Sequence, residues 1–330
     1  MLALAAAALI AVVAAASERA GTGTAAVASV TRTLPLQPVS RLSRAAPTDP
    51  DDPLSRDAWA LAKARLPEAW RRTTGRPDVV VAVLDTGVEL SHPDLAGAFV
   101  PGYDFVNGDA DPSDDHGHGT MVAGVVAARS NNSLGVAGAC GRCSIMPVKV
   151  IGSDGRGRAA DVAAGIVWAA DHGARLMNLS FTLSGPDEAV ERALEHARDR
   201  DVLVVAGAGN TGAAEAAFPA AYAGVIGVAG SDPDDARYAW SSDGGWVGVA
   251  APGCSPTTAP GGGYGEFCGT SSATALVSGI AALLRSLAPA RPAGDVAHAL
   301  AATAAPASGY VAAGRVDAAA AAGTLQPPRS

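Results

Sequence analysis

The chain has 330 residues, a formal net charge of −8 and 48 % hydrophobic residues, with 17 % charged and 5 % aromatic side chains. That composition supplies a large buried core and excludes a disordered chain. The negative charge and the absence of any Lys/Arg-rich stripe exclude nucleic acid as a partner.

Residues 1–16 form an unbroken apolar run ending in Ala14-Ala15-Ala16, small residues of the kind signal peptidase accepts. The run is shorter than the roughly 20 residues a spanning helix needs. It predicts a cleaved signal peptide and a secreted, extracellular protein, although no Lys or Arg precedes it. An uncleaved anchor and an ordinary core helix are the alternatives. No later segment predicts a stable membrane span, and a monomer is expected. Residues 17–48, rich in Ala, Thr, Ser, Arg and Pro, read as a pro-segment or linker. A single folded domain is expected over 49–323, followed by a disordered tail over 324–330.

Within that domain, the spacing of Trp59, Leu61, Ala62 and Leu66 predicts a helix across 57–70. Strands are expected over 79–84, 144–150, 176–180, 202–206 and 225–229. Alanine-rich helices are expected over 120–129, 159–170, 187–200 and 271–287. The strand runs are Val-rich and lack polar alternation, so both faces are buried. The fold class that follows is α/β: a three-layer, doubly wound, mostly parallel sheet with helices on both faces, joined by right-handed crossovers. Working sites in such sheets lie at the carboxyl ends of the strands.

Four cysteines allow three pairings. In an exported chain two local disulfides, Cys140–Cys143 and Cys254–Cys268, are the economical expectation. A zinc ribbon would need a second C-x-x-C, which the sequence lacks.

Three motifs carry chemistry. Val83-Leu84-Asp85-Thr86-Gly87 puts a carboxylate at the end of a buried strand, without the G-x-G-x-x-G of a dinucleotide site. Gly117-His118-Gly119-Thr120 puts an imidazole at the start of a helix. Gly269-Thr270-Ser271-Ser272-Ala273 puts a hydroxyl at a helix N-terminus, where backbone N–H groups face developing negative charge. Singly, each is readily a turn Asp, a structural His or an N-cap Ser. Together they supply the nucleophile, the base that takes its proton and the carboxylate that orients the base.

In this order, Asp85, His118 and Ser271 with their flanking motifs resemble the subtilisin family of serine proteases. The pattern is nearest to that of thermitase-like secreted bacterial subtilases. The resemblance spans nearly all of 49–323 and includes Ser91-His92-Pro93-Asp94-Leu95, Met177-Asn178-Leu179-Ser180, Ala206-Gly207-Ala208-Gly209-Asn210 and Gly314-Arg315-Val316-Asp317-Ala318. It implies a serine endopeptidase acting on extended polypeptide substrates through an acyl-enzyme, with Asn210 as an oxyanion donor. It also implies two substrate-binding segments, Gly155-Arg156-Gly157 and Ser180-Phe181-Thr182. The specificity pocket is then walled by the latter and by 206–209, including Gly207, and those small residues suggest room for sizeable apolar side chains. His116 is given no role. Met121, Ser272 and Ala275 depart from the family pattern without removing a proton-transfer group.

The segment Asp104-Phe105-Val106-Asn107-Gly108-Asp109-Ala110-Asp111 alternates oxygen donors closely, as a hard cation requires. It resembles a calcium loop of thermitase-like enzymes, and Asp52, Asp94 and Asn132 resemble the family's tighter Ca2+ site. A solvated acidic turn is the plainer alternative for each. Two other functions compete: a catalytically silent subtilisin fold, and an esterase or acyltransferase. The second lacks the G-x-S-x-G elbow.

Overall fold

The computed structural model describes residues 24–26, 30–33, 50–55, 58–307 and 309–325. The expected signal peptide, most of the expected pro-segment and residues 326–330 lie outside them.

The Val-rich runs form the middle of a sheet. Numbered in chain order, they are β3 (Val80–Asp85), β5 (Ser144–Lys149), β7 (Leu176–Leu179), β9 (Leu203–Gly207) and β10 (Val225–Ser231). The edges are β4 (Tyr103–Asp104) and β11 (Val249–Pro252). All neighbours are parallel, in the order β11-β10-β9-β7-β3-β5-β4. Side chains alternate between faces: Val81 and Val83 enter one core cluster, Ala82 and Leu84 the other. Both faces are apolar, which is why these strands show no polar alternation.

One face is covered by α3 (His118–Ala127) and α6 (Thr270–Leu287), with α7 (Ala293–Ala302) and α8 (Ala318–Thr324) packed beyond them. The other is covered by α4 (Ala159–Asp171) and α5 (Glu188–Asp199). The three-layer expectation is met. By length and composition α6 could cross a membrane, but 94 % of it is buried inside the fold. It is a core helix.

The single helix expected across 57–70 is two short ones, α1 (Trp59–Lys63) and α2 (Leu66–Trp70). Between them Arg65 is left-handed, with φ 54°. Pro67 explains the break, because it has no N–H to donate inside a helix and is tolerated only in a first turn.

Two small antiparallel sheets sit outside the main one. The hairpin β12 (Cys254–Ala259) and β13 (Gly263–Cys268) is stapled by the Cys254–Cys268 disulfide at its open end. Cys140 and Cys143 form the second disulfide, so both expected pairings are present. β2 (Val30–Thr33) adds to the free edge of β13. In the other sheet β1 (Thr24–Ala26) lies between β6 (Arg156–Arg158) and β8 (Thr182–Leu183), in the order β6-β1-β8.

Candidate active site

Asp85 is the last residue of β3, at the carboxyl edge of the sheet, and His118 is the first residue of α3. Their approach depends on Gly119: a Cβ there would meet the Gly87 carbonyl oxygen at 2.0 Å. The His118 Nδ1 to Asp85 Oδ1 distance is 2.7 Å, and both side chains are fully buried. The Thr86 N–H also donates to Asp85 Oδ1, at 2.8 Å. With Nδ1 committed to the carboxylate, Nε2 becomes the basic nitrogen. That atom is buried without a hydrogen-bond partner among the described residues. The ring of Phe267, four residues before Ser271, meets the His118 imidazole edge-on at 5.4 Å.

Ser271 lies in the first turn of α6, where backbone N–H groups have no intrahelical acceptor. Its Oγ donates to the Ser180 carbonyl at 3.1 Å. The structure therefore joins the carboxylate to the imidazole, while the hydroxyl is turned to the wall of the cleft. Asn210 follows β9, and its Oδ1 accepts from the N–H and Oγ of Thr270, at 2.9 and 3.0 Å. That fixes which end of the amide is oxygen. Ser271, Asn210, Thr270, Gly207, Gly209, Ser180, Phe181, Thr182 and Ala26 line one pocket.

Gly155, Arg156 and Gly157 lie in and just before β6, and Ser180, Phe181 and Thr182 lead from β7 into β8. The two segments flank a groove one strand wide. It is filled by the chain itself: Ala25 pairs with Gly157 and Leu183, and Ala26 with Arg156 and Thr182, antiparallel on both sides.

Two residues that sequence reasoning missed support the site. Asp114 caps the start of α3, accepting at Oδ1 from the Thr86 hydroxyl and the Gly117 N–H and at Oδ2 from the Thr120 N–H and hydroxyl. Lys149, at the end of β5, is buried and anchors three loops of the site. Its signal was a lone Lys inside an otherwise apolar strand.

The two expected cation sites differ. Asp52 and Asp94 are fully buried, and Asn132 Nδ2 donates to Asp94 Oδ1 at 2.8 Å. Asp52 accepts from the N–H groups of Asn131 and Asn132. Burial pushes Asp52 up to about 6 and also raises Asp94. Two buried carboxylates with no basic side chain in ion-pair contact among the described residues, beside an amide, form a donor set suited to a hard cation.

The second set is hydrogen-bonded within its own loop. Asp104 accepts from Val106, Asn107 and the Asn107 amide, Asp109 from the Asp111 N–H, and Asp111 from Ser113. These carboxylates also close tight turns in their own loop. Among the described residues no group of three or more His, Cys, Asp or Glu side chains is poised to hold a metal.

With this geometry in hand, comparison with known proteins is decisive: the subtilase family model matches residues 76–324. The chain belongs to the subtilase family. As a subtilase it is a serine endopeptidase. It is 40 % identical to thermitase of Thermoactinomyces vulgaris over 274 residues, covering 82 % of this chain and 97 % of that protein. It is 40 % identical to subtilisin BL of Lederbergia lenta over 69 % of this chain and 83 % of that one. Among solved structures, a protease from Pseudoalteromonas arctica PAMC 21717 superposes with a TM-score of 0.78 at 31 % identity. That match covers 84 % of this subtilase and all of the solved chain.

Proposed function

We propose that this subtilase hydrolyses internal peptide bonds of extended polypeptides, with Ser271 as nucleophile, His118 as general base and acid, and Asp85 as its orienting carboxylate. The observation that carries this reading is the peptide strand β1, seated antiparallel between β6 and β8 with Ala26 in the Ser271 pocket. A groove that takes up main chain by strand addition recognises polypeptide, not a small ester.

In the reaction, Ser271 Oγ leaves the Ser180 carbonyl and rotates toward His118 Nε2. Such a change between staggered rotamers is a small motion. Oγ then attacks the scissile carbonyl carbon as its proton passes to Nε2, and Asp85 stabilises the imidazolium that forms. The oxyanion is received by the Ser271 N–H and the Asn210 amide. The proton goes to the departing amine, and water hydrolyses the ester by the same relay in reverse. Small residues around Gly207 and Gly209 leave room for a sizeable apolar side chain before the cut.

The export reading is supported by the apolar run over 1–16 and by the two disulfides. A calcium ion is proposed at Asp52, Asp94 and Asn132, where it would tie the segment around Asp52 to the 130–136 loop. No ion is proposed at Asp104, Asn107, Asp109 and Asp111.

Digestion of denatured casein tests the reading. The wild-type chain should produce internal cuts after apolar residues, and folded Ser271→Ala should produce none. Undiminished cutting by Ser271→Ala would overturn the assignment, and a strong preference for Asp or Lys before the cut would overturn the pocket reading.

A further inference from the structure

The hairpin β12–β13 walls one side of His118. Phe267, on β13, is buried, and its ring meets the imidazole edge-on, with centroids 5.4 Å apart and planes at 77°. Asp85 holds the same imidazole at Nδ1 alone, at 2.7 Å. One hydrogen bond leaves a ring free to swing about it, so a second contact must fix where Nε2 points. The ring of His116, the other one beside it, is exposed and more distant, at 6.4 Å. Phe267 is the closer, buried wall.

The hairpin itself is clamped along its whole length. At its turn, the Gly261 and Gly262 N–H groups donate to Glu89 Oε2, at 2.8 and 3.3 Å. His92 Nε2 donates to the Gly263 carbonyl at 2.9 Å. Along β12, the hydroxyls of Thr257 and Thr258 donate to the carbonyls of Met121 and Thr120 in α3, each at 2.7 Å. That approach requires Gly124, where a Cβ would lie 2.2 Å from Thr258 Oγ1. At its base, Cys254 is bonded to Cys268, directly opposite in the register. The Gly269 N–H then donates to the Gly253 carbonyl at 2.9 Å, just before the chain turns into α6.

Phe267 stands one residue before Cys268, and Ser271 three residues after it. A single covalent link therefore fixes both the wall of the imidazole and the start of the helix that carries the hydroxyl. We infer that Phe267 is a positioning residue for His118, and that the Cys254–Cys268 disulfide holds it in register with Ser271. The inference rests on the proposed hydrolysis by Ser271 and adds what keeps the base aimed while the nucleophile moves. Ser271 Oγ must leave the Ser180 carbonyl to reach Nε2. A ring that also swung would lower the fraction of molecules aligned for proton transfer. A misplacement of about 1 Å can cost on the order of 10²-fold in rate.

Phe267→Leu tests the role with little disturbance of the fold, because apolar swaps of similar volume are tolerated in cores. With a peptide p-nitroanilide, which places no amino-acid residue beyond the cut, kcat should fall by about 10- to 10²-fold at unchanged KM. The rate of fluorophosphonate labelling of Ser271 should fall by the same factor, and the urea midpoint should stay near that of wild type. The proton NMR signal of His118 Nδ1–H should broaden as the ring gains freedom. Unchanged kcat and labelling rate overturn the inference and leave the proposed hydrolysis standing. A rise in KM at unchanged kcat would make Phe267 a substrate-binding residue and overturns it equally. A wild-type chain that neither labels at Ser271 nor cuts casein overturns the hydrolysis reading itself.

Replacing both cysteines of the hairpin, Cys254→Ala with Cys268→Ala, tests the link without leaving an unpaired thiol. Here too kcat should fall at unchanged KM. Adding Phe267→Leu should then cost little more, since both changes cut one connection. Wild-type kcat in the folded protein without this disulfide, or losses that multiply in full, overturn the role given to the disulfide.

Discussion

The ammonium of Lys149 donates to the carbonyl of Thr86, the residue that follows Asp85, at 2.7 Å. The same nitrogen reaches the Ile151 carbonyl at 3.1 Å and Asp115 Oδ1 at 2.5 Å. One buried cation thus joins the turn after Asp85, the approach to His118 and the loop that leads into β6. Its side chain is 1 % exposed, whereas that of Asp115 is 48 % exposed, so the salt bridge is one-sided and the two carbonyls are the buried partners.

Lys149→Met removes the donor and leaves those carbonyls unsatisfied. A loss of about 2–6 kcal/mol in urea unfolding is expected, the sum of two such vacancies. If the cation also positions the site, kcat should fall by up to about 10²-fold in the fraction that remains folded, because small misplacements of reacting groups are costly. An unchanged kcat with lowered stability would restrict Lys149 to the fold.

Asn210 is held by Thr270 with its oxygen fixed as acceptor, and the proposed mechanism gives its amide nitrogen to the oxyanion. Asn210→Ala should lower kcat by about 10²–10³-fold with little change in KM, since the bond strengthens in the transition state. Steady-state kinetics on one peptide substrate checks the split. A rise in KM alone would make Asn210 a binding residue.

Asp52 and Asp94 bring two carboxylates into a dry space, and a bound cation would offset that repulsion. Adding a chelator should lower the melting temperature, and excess calcium should restore it. Saturation at 100 times Kd corresponds to about 2.7 kcal/mol. Asp94→Asn should remove most of the chelator effect. Identical melting curves with and without chelator would remove the cation from the account.

Asp201 supplies a pH dependence. Burial alone would raise its carboxyl, but the Ala293 N–H and the Arg285 guanidinium outweigh burial and hold it below its usual range. A depressed folded value means that its contribution is present above the unfolded value of 3.8 and is lost as pH falls through the lower folded one. Asp201→Asn should therefore be less stable than wild type at neutral pH and converge with it in strong acid. Parallel stability curves across that range would contradict the assignment.

Much of this was legible in the sequence where the signal is local. The five apolar strands declare themselves because burial on both faces removes polar alternation, and Asp85, His118 and Ser271 each sit in a short motif whose neighbours are also constrained. Helix 57–70 was misread because apolar spacing ignores Pro67. The hairpin β12–β13 is rich in Gly, Thr and Pro, and its strand character comes from pairing. β1 was hidden for the same reason: Thr24-Ala25-Ala26 has little intrinsic strand signal and gains one only in the groove that receives it.

The central claim is that His118, oriented by Asp85, makes Ser271 a nucleophile. Stoichiometric reaction with a fluorophosphonate, read as the mass of the modified peptide, tests it most directly. The account predicts one adduct, on Ser271, formed rapidly by the wild-type chain and at least about 10³-fold more slowly by folded His118→Ala. An adduct on another residue, or equal rates in the two proteins, would contradict it.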